Sequence, residues 1–112
     1  MIQLSTTTPY SSVAFLETWD VLAIGDEGSP LTCAQYADKT MQVAGTFGGA
    51  TVSLLGSNNG VDWAVLHDTM GAVITVATAK HTLVADSCVY VKPVINGGDG
   101  TTALVVTILM KG

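Results

Sequence analysis

Asn59-Gly60 sits between two runs of β-forming residues within Gly45 to Trp63, GTFGGATVSLLGSNNGVDW, and no other feature limits the fold of this chain as strongly. Asn and Gly tolerate the positive φ angles of a tight hairpin, so the segment predicts strand, Gly-rich turn, strand, Asn-Gly turn and strand. It contains no catalytic side chain, which favours a scaffold over an enzyme.

The chain has 112 residues, enough for one domain that buries about two-thirds of its unfolded surface without metals or disulfides. Hydrophobic residues make up 48% and charged residues 12%, about half the charged share of an average soluble domain. So little charge leaves apolar surface that is expected to lie against other protein. A membrane span is not expected, because the longest apolar stretch, Ala103 to Met110, is broken by Thr107 and falls far short of about twenty residues.

Four lysines, no arginine and nine acids give a net charge of −5. The lysines, Lys39, Lys80, Lys92 and Lys111, are scattered, so no basic stripe for direct nucleic-acid binding is expected. The N-terminus has neither the positive nor the apolar region of a secretory signal, so synthesis in a cytoplasm is expected. Cys33 and Cys88 are accordingly expected to be reduced and buried as small hydrophobes.

Residues 1–16 are rich in Ser and Thr, include Pro9 and lack any period, and they read as an extended arm ahead of a single domain, 17–112. Strand signals follow at TWDVLAIG, LTCAQ and KTMQVAGTF. In the last of these, Met41, Val43, Gly45 and Phe47 alternate with Thr40, Gln42, Ala44 and Thr46, the period of a half-buried strand. CAQYADKT is the one weak helix candidate. Further strands are expected at Ala50 to Gly56, Val61 to His67, AVITVATA, HTLVA and SCVYVKPVI, and Pro93 predicts that the last is at an edge, bulged or split. After the Asn96 to Gly100 turn, the closing strand is apolar on both faces, with Leu104, Val106, Ile108 and Met110 on one and Ala103, Val105 and Leu109 on the other. A small antiparallel sandwich needs one apolar face per strand, so the second predicts a covered face or a subunit interface. The pattern predicts an all-β antiparallel sandwich or jelly-roll-like barrel of about eight short strands.

Chemistry is sparse. His67 and His81 are the only histidines, and no H-x-H or C-x-x-C spacing occurs, so neither a metal nor a cofactor is expected. His67-Asp68 suits a base with its acid, but also a polar strand end. No G-x-S-x-G elbow is present. Asp26-Glu27, and Asp62 with Asp68, are acid pairs of the kind glycosidases use, yet in turns such acids are ordinarily solvated. The Asx-rich turns at Ser57 to Asn59 and Asn96 to Asp99 offer oxygen ligands for calcium, or cap themselves. Gly97-Gly98-Asp99-Gly100 is not followed by a helix pattern and is no phosphate loop. Trp19 and Trp63 fit a core, or sugar-stacking platforms if exposed.

GTFGGATVSLLGSNNGVDW, AVITVATAK and KPVINGGDGTTALVVTILMKG together resemble small virion proteins of tailed bacteriophages, among them β-sandwich capsid decoration or cement proteins. The resemblance spans Lys39 to Gly112, with a weaker addition around Trp19. It implies many copies, as homodimers or homotrimers, on the outside of a capsid made in the host cytoplasm, stapling neighbouring major capsid subunits without enzymatic activity. Phe15, Leu16, Ala103, Val105 and Leu109 are the expected contact residues. The alternatives are a carbohydrate-binding β-sandwich module, carried by Trp19, Trp63 and the Asx-rich loops, and a tail or head-completion component of a phage virion.

Overall fold

The alternation read from Lys39 to Phe47 is a strand at Asp38–Thr46, in which Met41 and Val43 are buried and Gln42 is exposed. The computed structural model describes residues 1–9, 14–36 and 38–111. Over these residues the chain forms β1 (Ile2–Gln3), β2 (Thr6–Pro9), β3 (Ala14–Leu22), β4 (Glu27–Gly28), β5 (Leu31–Thr32), β6 (Asp38–Thr46), β7 (Ala50–Ser57), β8 (Ala64–Val65), β9 (Thr75–Val76), β10 (Lys80–Leu83), β11 (Tyr90–Gly97) and β12 (Ala103–Lys111). These strands form two sheets. One has five strands in the order β10-β6-β12-β3-β2; the other has seven, with the path β1-β4-β11-β7-β8, β5 also pairing β11 and β9 also pairing β7. Every pairing is antiparallel except that of β1 with β4.

The sheets pack through a shared apolar core. The five-stranded sheet contributes Trp19, Leu22, Met41, Val43, Leu104, Val106 and Ile108, and the seven-stranded sheet contributes Val52, Leu54, Val91 and Ile95. Register aligns the inward side chains in rows, Trp19–Val106–Val43 in one sheet and Val52–Ile95 in the other. Each fully buried aliphatic side chain contributes about 1.5–3 kcal/mol, so this layer dominates stability. The all-β antiparallel sandwich expected from the sequence is the architecture found.

Several local expectations change. The run LTCAQ is a strand only over Leu31–Thr32; Ala34 and Gln35 turn, and no residue described in CAQYADKT is helical, Ala37 lying outside the described residues. The Asn59-Gly60 pair does not make a two-residue hairpin. β7 ends at Ser57 and β8 starts at Ala64 because side chains take over the backbone donors between them. Ser57 Oγ accepts from the N–H groups of Asn59 and Gly60 (3.3 and 2.9 Å), and Asn59 Oδ1 from those of Val61 and Asp62 (both 2.9 Å). Gly60 alone takes the left-handed conformation in that turn, at φ 76°.

Pro93 is not at a sheet edge. It lies in the middle of β11, fully buried and opposite Leu54, with β7 paired along the whole strand. The split falls on the other side, where β5 bridges Tyr90 and Val91 and β4 bridges Val94. The Ile95 N–H donates toward β4, to the Asp26 carbonyl at 3.0 Å, so the N–H that Pro93 lacks would point the same way, into the gap between the two short strands. Gly28 fills the gap: a Cβ there would stand 2.6 Å from Pro93 Cδ and 2.7 Å from Trp19 Nε1, which donates to the Ser29 carbonyl at 3.2 Å.

The stretch expected as an arm, residues 1–16, is extended and paired, with residues 10–13 outside the described residues. β1 joins the seven-stranded sheet through β4, and β2 joins the five-stranded sheet through β3, which begins at Ala14. Ser5 and Thr7 donate their hydroxyls to the carboxylate of buried Glu17 on β3, and Gln3 Nε2 donates to Asp26 Oδ2 at 3.0 Å. The Ala23 N–H holds the Asp26 carboxyl below the usual carboxylate range, with help from Gln3 and against the opposing effect of burial.

Candidate functional site

Register places a continuous outward face on the five-stranded sheet. Residues of β12 alternate, so Ala103, Val105, Thr107 and Leu109 turn away from the core while their neighbours fill it. Pairing extends them sideways into rows. Leu109 lies between Leu16 and Thr40, with Thr8 beyond Leu16 and Leu83 beyond Thr40; Thr107 lies between Thr18 and Gln42, with Thr6 and His81 at the ends. Val105 pairs Ala44, and Ala103 pairs Thr46. Leu83 is 55% exposed, and Leu16, Val105 and Leu109 are half-buried.

No carboxylate or lysine stands within these rows. Charge appears at the rim, where Asp38 and Lys111 lie opposite each other at one end and exposed Asp20 occupies the bulge of β3 at the other. Among the described residues, no side-chain hydrogen bond or ion pair ties the face together, and no element lies over it.

Four of the five expected contact residues, Leu16, Ala103, Val105 and Leu109, come together on this face. Phe15 does not. It shares the inward register of Met110 and packs against the core, meeting the Tyr36 ring edge-on at a centroid separation of 5.6 Å. Sequence reading missed Leu83, Thr40, Gln42 and Ala44 as parts of the same surface, because only strand pairing brings them beside β12.

The outer face of the seven-stranded sheet is built differently. Lys92 lies 3.5 Å from the Glu27 carboxylate and 4.4 Å from the centre of the Trp63 ring. Asn96 Nδ2 donates to Ser53 Oγ at 3.1 Å, and that hydroxyl meets Thr75 Oγ1 at 3.2 Å. Trp19 is fully buried, whereas Trp63 is half-buried with Lys92 over one ring face.

The candidate chemical groups take structural partners. His67 Nδ1 meets Asp86 at 2.9 Å rather than Asp68, which caps its own turn by accepting from the Met70 and Ala72 N–H groups. The His67 side chain, then its N–H, hold the Asp86 carboxyl below its ordinary range. Asp26 and Glu27 go to different partners, Gln3 and Lys92, and Asp62 accepts from Asn59 Nδ2 at 2.9 Å. Asp99 caps the Asn96–Gly100 turn through the Thr101 N–H and hydroxyl, which lower its pKa. His81 stands exposed on β10, opposite Gln42. Among the described residues no three His, Cys, Asp or Glu side chains converge as a metal site would require. Cys33 and Cys88 are free thiols: Cys33 Sγ lies 3.5 Å from the Cys88 carbonyl, and burial pushes its pKa up to about 11.

No family model matches the chain, and no curated protein matches it in sequence. Among solved structures it is similar to SPBc2 prophage-derived protein YomS, whose crystal structure superposes with a TM-score of 0.67 at 9% identity, over 94% of this chain and 100% of that one. At that identity the likeness is one of fold.

Proposed function

We propose that this chain is a non-enzymatic structural protein of a tailed-phage virion, which binds the outside of the capsid and staples neighbouring major capsid subunits. The observation that carries the reading is the open face of the five-stranded sheet, a patch without internal charge on a chain of net charge −5. Such a patch gains by covering itself with protein. The fold shared with a prophage-derived protein supports the phage setting. Acidic groups elsewhere suit a protein on the outer surface, away from packaged DNA. A clip that binds only the assembled shell stabilises that shell by mass action, with no chemical step.

Co-sedimentation with empty capsids of the parent phage tests this reading. Saturation at a fixed number of copies per shell is expected, and shells carrying the protein should keep their DNA to higher temperature than shells lacking it. A protein that pellets with no shell, or shells of equal stability with and without it, would refute the stapling role. The glycan-binding alternative has one half-buried ring in its favour, Trp63, while Trp19 is enclosed. A change in Trp fluorescence on adding host polysaccharide would move the reading there.

A further inference from the structure

We infer that Cys33 and Cys88 form a redox site, a dithiol that closes to an intramolecular disulfide when the protein leaves a reducing cytoplasm for oxidising surroundings. The passage outward rests on the virion role proposed above, whereas the bond itself rests on the fold. The Cys33 N–H donates to the Val89 carbonyl at 2.8 Å, next to the Thr32–Tyr90 and Leu31–Val91 pairs of β5 and β11. That bond holds Cys33 and Cys88 on neighbouring backbones, and Cys33 Sγ reaches within 3.5 Å of the Cys88 carbonyl. Paired strands bring opposite Cα atoms to about 4.5–5.5 Å, inside the range of about 4.4–6.8 Å that a disulfide spans. Both side chains pack into the core. Burial there is the largest influence on each thiol, and each thiol also acts on the other through its side chain.

Exposure sets the order of events, because Cys88 is half-buried and Cys33 is fully enclosed. The Cys88 thiolate attacks the S–S bond of a low-molecular-weight disulfide such as oxidised glutathione, forming a mixed disulfide and releasing one glutathione thiolate. The Cys33 thiolate then attacks Cys88 Sγ, forming the bridge and releasing the second. Two protein thiols are oxidised, one glutathione disulfide is reduced, and the two protons pass to the released thiolates. Each step needs a thiolate, which burial disfavours and the nearby charge of Lys39 favours. Lys39 is enclosed with them, at 2% exposed; its Nζ donates to the Tyr36 carbonyl at 3.2 Å, and among the described residues it forms no ion pair. The bridge joins residues 55 apart in sequence, so it restricts the unfolded chain far more than the folded one.

Incubation of the folded full chain with oxidised glutathione, followed by alkylation and intact mass spectrometry, tests the inference without capsids. Loss of two hydrogens with no alkyl group taken up, and a Cys33–Cys88 linked peptide on digestion, are expected. The melting temperature should rise by roughly 10 °C and fall back with dithiothreitol. Cys33→Ser should stop at the Cys88–glutathione mixed disulfide, and Cys88→Ser should leave Cys33 unmodified in the folded chain. Lys39→Met should slow closure at least threefold while the bridge still forms. Wild-type chain that keeps both thiols, stops at the mixed disulfide or links only to other chains would overturn the site, as would a bridge that leaves the melting temperature unchanged. Capsid-bound protein whose thiols stay free in oxidised glutathione would refute the bridge alone, whereas a bridged chain that ignores capsids would uphold it and refute the virion role alone.

Discussion

The two outer faces of this sandwich put similar strands to different ends. On the seven-stranded sheet, polar groups along the middle of the face have partners from the same chain: Lys92 with Glu27 and Trp63, Asn96 with Ser53, Ser53 with Thr75. On the five-stranded sheet, Thr6, Thr18, Thr107 and Gln42 lie across four paired strands in a row with no such tie among the described residues. A face whose polar groups are already partnered gains little by docking. The open face keeps its leucines and hydroxyls available to another protein.

The largest expected contrast comes from adding one or two heavy atoms to each sheet. Gly28→Ala forces a methyl group against Pro93 and the Trp19 ring, both buried, and should cost about 3 kcal/mol in a denaturant melt. Ala44→Thr on the open face should change stability by less than about 0.5 kcal/mol. Equal effects would mean that the open face is packed after all.

Acidification gives a second contrast. Asp26 lies in the turn leading to β4 and its pKa is lowered, so its carboxylate contributes stability that is present above the unfolded value, about 3.9, and lost as pH falls through the lower folded one. The melting temperature should drop between pH 5 and about pH 2, and Asp26→Asn should lower stability at neutral pH while flattening that drop. An unchanged slope would show that the seam closed by Gln3 and Asp26 contributes nothing.

The smallest effect is expected at Lys92. Lys92→Met removes a cation–π contact and a partly exposed ion pair, and should cost at most about 1 kcal/mol, less at high salt. A loss of several kcal/mol would mean that the seven-stranded face depends on this one side chain.

What could be read from the sequence follows from how local each signal is. β6 and β12 announce themselves, because alternation and apolar content are written within nine residues each. The turn at Asn96–Gly100 does so through its composition. β1 and β2 are hidden, since Gln3 of β1, Thr7 of β2 and Ser5 between them are held only by distant partners, Asp26 for Gln3 and Glu17 for Ser5 and Thr7. Pro93 misleads because a proline is barred from a central strand only if its neighbour needs the missing N–H, and here the neighbour is split into β4 and β5. Of the open face, β12 alone was legible as two-faced. Thr40, Gln42 and Ala44 read as an ordinary solvent side, and only register sets them beside it; Phe15, expected at the contacts together with Leu16, shares the inward register of Met110, a phase that nothing local in β3 announces.

Hydroxyl-radical footprinting of the chain alone and bound to empty capsids compares the two faces most directly. Protection of Leu16, Leu83 and Leu109 on adding capsids, with Trp63 and the exposed Met70 unchanged, is the predicted result. Protection confined to Trp63 and Met70, or to no residue, would contradict the claim that the five-stranded sheet presents the protein-binding face.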